Sequence, residues 1–203
     1  MPLLPKRTHL ALCAFLNCLI PVSAWAHIGQ GDIGGGFVAG FAHPLLGLDH
    51  VVAMVAVGLW GAQLGRPAIW VLPVTFPIVM AFGGVLGGLG VDIPGIEIGI
   101  ALSAIVLGGM VAFAAKPPLW IAGVLVGLFA IFHGHAHGAE LPESANPLSY
   151  SMGFVIATGS LHAIGILIGT INRWKAGSYL LRSGGALISV FGIYFLTTAL
   201  MAG

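Results

Sequence analysis

The chain has 203 residues, of which 58% are hydrophobic and only 6% charged, and its mean hydropathy is +1.05. A soluble domain carries about 25% charged residues, so seven Lys+Arg and six Asp+Glu cannot solvate the surface of a water-soluble protein of this size. A net charge of +1 without any basic run excludes a nucleic-acid partner, and continuous apolar runs exclude an outer-membrane barrel, whose strands alternate over about ten residues. The fold class expected is an all-α integral membrane protein whose 32 glycines let helices approach closely in the bilayer.

Lys6 and Arg7 precede an apolar stretch from Leu10 to Ile20, followed by Pro21 and the small-x-small sequence Ala24-Trp25-Ala26. This is the layout of a cleavable secretory signal over residues 1–26, with an uncleaved first anchor as the alternative. The mature chain, 27–203, then forms a single transmembrane domain starting at His27. Both cysteines, Cys13 and Cys18, fall inside the signal, so metal chemistry in the mature chain rests on His and carboxylate.

Six apolar stretches of about 20 residues follow, at roughly 45–64, 67–90, 95–115, 118–138, 148–171 and 178–201, each long enough to cross the hydrocarbon core. They predict a bundle of six transmembrane helices. The breakers between them are Arg66-Pro67, Asp92 to Gly95, Lys116-Pro117-Pro118, Glu140 to Pro147 and Asn172 to Gly177. The run from Ile33 to Ala62 is too long for one upright span. Pro44 therefore either opens the first helix, kinks a longer one or follows a re-entrant piece, and in the last two cases the residues around it sit nearer the membrane middle. Small-xxx-small pairs at Gly83/Gly87, Gly84/Gly88, Gly123/Gly127 and Gly165/Gly169 predict close contact among the second, fourth and fifth spans.

In the mature chain Arg66, Lys116, Arg173, Lys175 and Arg182 all fall on one side of this topology, which the positive-inside rule assigns to the cytoplasm. Both mature termini then lie outside, as do Asp32, Asp92, Glu97, Glu140 and Glu143. Asp32 and Glu97 either draw cations or simply solvate the surface.

Ionisable groups at membrane depth are costly and point to function. The first cluster is His43-Pro44-Leu45-Leu46-Gly47-Leu48-Asp49-His50, in which His43 and His50, two helical turns apart, would share a face beside Asp49. The second is Phe132-His133-Gly134-His135-Ala136-His137-Gly138-Ala139-Glu140, in which His133, His137 and Glu140 can share a face while His135 points elsewhere, towards an entrance. The first span runs inward and the fourth outward, so both clusters are expected in the outer half of the membrane. His162, near Thr158 and Ser160, is either a relay on an exit route or a packed polar contact. At the start of the mature chain, the amine and imidazole of His27 could chelate an ion and deliver it to the pore. Such donors suit nickel, cobalt, copper or zinc.

The strings HPLLGLDH at 43–50 and FHGHAHGAE at 132–140, with six spans and an N-terminal signal, resemble the HupE/UreJ family of secondary nickel permeases. The family pattern falls here on His43, Pro44, Gly47, Asp49 and His50, and on Phe132, His133, Gly134, His137, Gly138 and Glu140. The resemblance implies import of Ni2+, with Co2+ possible in some members, across a bacterial inner membrane. The ion is cargo and no prosthetic group is implied; partners would be nickel-enzyme maturation proteins serving enzymes such as hydrogenase or urease. No phosphate-cradling glycine loop precedes Lys116 or Lys175, so ATP hydrolysis is not expected. Two other readings use the same donors: an intramembrane metal-dependent hydrolase, and a metal-sensing or assembly subunit that binds without transport.

Overall fold

The structure, a computed structural model, describes residues 33–142 and 145–202. The signal segment, His27, Asp32 and Glu143 lie outside them. The described residues form seven α-helices and no strand: α1 (Ile33–Leu46), α2 (Leu48–Leu64), α3 (Ala68–Gly88), α4 (Ile96–Ala112), α5 (Leu119–Ala139), α6 (Pro147–Gly169) and α7 (Lys175–Ala202), with a 3-10 turn at Thr170–Arg173.

Four of these helices, α3, α5, α6 and α7, are long and apolar enough to cross a membrane, and α1 with α2 make a fifth candidate as a bent pair. At about 1.5 Å per residue, the 17 residues of apolar α4 reach some 25 Å, slightly less than a typical hydrocarbon core. The ends follow local chemistry. Gly65 and Gly95 adopt the positive φ (77° and 71°) that terminates α2 and precedes α4. Asn146 caps α6 by accepting the Ser149 N–H at 3.0 Å, with Pro147 in the first turn.

The first span differs from the helix expected at 45–64. It begins at Ile33 and breaks at Gly47, where α1 and α2 meet at 81°. Pro44 has no N–H for the Gly40 carbonyl and so weakens the last turn of α1. Gly47 is extended (φ −85°, ψ 108°), and its carbonyl restarts the ladder by accepting from Val51 N–H at 2.9 Å.

α2 is the central helix and touches α3, α4 and α6, while α3 pairs with α5, α4 with α7, and α6 runs along both α1 and α2. Fully buried Met54, Val57 and Trp60 of α2 meet Leu72, Phe76, Leu107 and Val126 in the core. Glycine sets the two closest seams. A Cβ on Gly134 would overlap the Met80 carbonyl, and one on Gly58 would overlap the carbonyl of His162. The α3–α5 contact expected from Gly83 to Gly88 is therefore present, but two others are not as expected: Gly123 has no neighbour where a Cβ would stand, and Gly165 packs on Val55 of α2 instead of on α3 or α5.

Charge is divided between the ends of the bundle. Arg66, Lys116, Arg173 and Lys175 flank the ends where Trp60 donates to the Ala115 carbonyl at 2.9 Å and Arg182 to the Ala112 carbonyl at 2.8 Å. Asp49, Glu97 and Glu140 line one cavity at the opposite part of the molecule.

Candidate metal site

The break at Gly47, the last turns of α5 and the first turn of α4 bring six polar side chains around a cavity of about 240 Å3: His43, Asp49, His50, Glu97, His137 and Glu140, with His133 also lining it. Two sets of donors form within it. In the inner set, His50 Nδ1 lies 3.3 Å from His133 Nδ1 and 3.2 Å from His137 Nε2. In the outer set, Glu140 Oε2 lies 3.3 Å from His43 Nε2 and 3.9 Å from His137 Nδ1. His50 and His133 are buried; His43 and Glu140 are open to the mouth.

The proton positions of the inner set follow from its outer contacts. The Ser103 hydroxyl donates its one hydrogen to the Ile100 carbonyl at 2.6 Å, so at 2.9 Å it can only accept from His133 Nε2–H. His133 Nδ1 then carries a lone pair aimed at His50. His50 Nε2 meets the Thr158 hydroxyl at 3.3 Å, and donating there leaves a lone pair on His50 Nδ1 as well. His137 Nε2 completes a group of three imidazole nitrogens, and it offers its lone pair there when the His137 proton is on Nδ1. Two donors bound at about 2.1 Å stand roughly 3.0–3.4 Å apart for octahedral or tetrahedral angles, which is the spacing of His50 from each of the other two rings. Such a set of donors suits a divalent transition-metal ion.

His137 belongs to both sets, through Nδ1 to the outer and Nε2 to the inner. A neutral imidazole has one lone pair, so the ring serves one set at a time.

His43 and His50 do meet at the site, but not by sharing a helical face, because the helix is broken between them; each is delivered from its own side of the 81° bend. Thr158, about midway along α6, is the residue of that helix that His50 contacts. Asp49 lines the cavity and accepts the His50 backbone N–H at 2.8 Å, yet belongs to neither set. His135 stands apart, with Nε2 donating to the Val91 carbonyl at 2.6 Å, and it does not face the cavity. His162 lies buried beside Phe76, also outside both sets. The structure places Glu97, one of the two acids weighed as drawing cations, in the cavity wall, and adds Ser103 behind His133.

This is a multi-pass, all-helical protein with an imidazole-rich site at its centre, and it belongs to the HupE / UreJ protein family, which matches residues 14–195. It is 45% identical over 178 residues to Protein HupE of Rhizobium leguminosarum bv. viciae, covering 87% of this chain and 92% of the relative. No solved structure matches it.

Proposed function

We propose that the protein is a secondary permease that imports Ni2+, and Co2+ less selectively, across the bacterial inner membrane. The observation that carries the reading is the convergence of ring nitrogens from His50, His133 and His137 on one buried point. Family membership supports nickel as cargo, since the chain carries both of the motifs on which its resemblance to nickel permeases rests. A hydrolase using the same donors is not favoured by that kinship.

In this reading the bent pair α1–α2 is one span and α4 another, making six after a cleaved signal, with the Lys/Arg end in the cytoplasm. Asp49, Glu97 and Glu140 draw the hydrated cation into the mouth. His43, His137 and Glu140 take it first. A shift of the His137 proton from Nε2 to Nδ1 withdraws the outer nitrogen and offers the inner one, so the ion passes to His50 and His133 in sequence. Energy comes from the membrane potential or an ion gradient. His27 would pre-load the mouth from the chain terminus.

The test is Ni2+ influx into proteoliposomes holding a metal-responsive dye, for the parent and for His50→Ala. Influx in the parent and its loss in the variant support the permease; tight binding without influx in the parent would replace it with a sensor or assembly subunit.

A further inference from the structure

The donors described so far end at His50. Past it, on the same face of α6, come two more buried polar side chains one helical turn apart, Thr158 and His162. Contact is continuous, because the Thr158 hydroxyl lies 3.3 Å from His50 Nε2. His162 is only 1% exposed, and neither of its ring nitrogens has a hydrogen-bond partner of good geometry. Leaving a buried imidazole unpaired in this way is costly, so the position is not explained by packing alone.

The opposite wall explains it. α3 carries Pro73 and Pro77 in its interior. Pro77 has no N–H, so the Pro73 carbonyl four residues earlier has no helical donor. That carbonyl is the backbone group facing His162. Phe76, between the two prolines, packs against the rings of both His133 and His162, at 5.7 and 5.5 Å, and so spans the gap between the two levels. His162 therefore lies just inward of the imidazole triplet, with the Thr158 hydroxyl one turn before it on α6 and the Pro73 carbonyl opposite. Among the described residues His162 belongs to no group of three or more histidines and carboxylates.

We propose that His162, the Pro73 carbonyl and the Thr158 hydroxyl form an inner station that takes the divalent ion from the His50–His133–His137 set and releases it towards the positively charged end. This rests on the permease reading given above. A single imidazole with two neutral oxygens binds more weakly than three imidazoles, and conduction needs an inner site weak enough to release its ion. Neutral donors also avoid trapping a dication as a carboxylate would.

The test uses the full chain with Cys13 and Cys18 replaced by serine throughout, and compares the parent with His162→Leu and His162→Cys. In detergent with Co2+, only His162→Cys should gain a near-ultraviolet thiolate-to-cobalt charge-transfer band, placing the ion at residue 162. In proteoliposomes His162→Leu should lose about tenfold or more of Ni2+ influx, while its equilibrium Ni2+ binding stays within about twofold of the parent, which also reports an intact fold. Absence of the band in a His162→Cys protein that still binds Ni2+ would overturn the station, as would parental influx in His162→Leu. Loss of binding together with influx would assign His162 to packing and equally overturn it. A parent that carries no Ni2+ would sink the permease reading separately, with the cobalt band still deciding whether an ion reaches residue 162.

Discussion

Ser103 and His133 form a directional pair: the serine hydroxyl, committed to the Ile100 carbonyl, accepts from His133 Nε2–H at 2.9 Å and so fixes which nitrogen of the ring faces His50. Outer contacts of this kind typically change metal affinity by about 10–100-fold when removed. Ser103→Ala should accordingly weaken Ni2+ binding by that factor without unfolding the protein. Isothermal titration on the purified variant checks this, and an unchanged affinity would detach the serine from the site.

The inner set binds metal only through neutral rings, so protons and Ni2+ compete for the same nitrogens. The sign is therefore fixed: affinity falls once the solution is acid enough to protonate the rings. Dissociation constants followed from about pH 7.5 downward should rise as the rings begin to protonate. Binding that strengthens in acid would contradict an imidazole site.

Asp49, Glu97 and Glu140 act through charge at the mouth. Asp49→Asn, Glu97→Gln and Glu140→Gln should each raise the external Ni2+ concentration for half-maximal influx by roughly three- to tenfold and flatten its dependence on ionic strength. Glu140→Gln should be the most severe, because Glu140 also contacts His43 and His137. Influx titrations at low and at high salt measure both effects.

His135 provides the contrast within the same motif. Its bond to the Val91 carbonyl ties the end of α5 to the loop after α3 and keeps the ring out of the cavity. His135→Leu should leave Ni2+ affinity within about twofold of the parent while lowering stability by roughly 1–3 kcal/mol, as for a lost buried hydrogen bond. A large loss of affinity with unchanged stability would return His135 to the site.

The α3–α5 seam tolerates no added volume at Gly134, where a Cβ would meet backbone rather than a movable side chain. Gly134→Val should cost at least the roughly 1–3 kcal/mol of an overpacked core and displace His133 and His137 together. Thermal unfolding in detergent reads the first effect, and Ni2+ titration the second.

Particular residues mark how much of this was legible in the sequence. Membrane character and helical content follow from hydropathy, and the α3–α5 contact from the glycine spacing, because both are properties of local composition. His133 and His137 lie one turn apart on α5, with Glu140 just past its end, and all three line the same cavity. His43 and His50 were recognisable as donors by the cost of placing them in a membrane, but the seven-residue spacing assumed a helix that Gly47 interrupts. Whether a glycine after a proline kinks or breaks a helix depends on what packs around it, here α6 along both α1 and α2. His135 resembles its neighbours chemically, and only the fold brings Val91 to it. Ser103 is one hydroxyl in an apolar helix, and its value to His133 depends on a partner 30 residues away. Glu97 looks like any acid in the first turn of a helix until the cavity encloses it.

The central claim is that three imidazoles, from His50, His133 and His137, hold the ion together. X-ray absorption at the nickel edge of the Ni2+-loaded parent and of His50→Ala measures this directly. Three imidazole ligands at about 2.1 Å in the parent, falling to two or fewer with a loss of affinity in the variant, are the outcome expected. An all-oxygen shell, or one that is the same in both proteins, would contradict it.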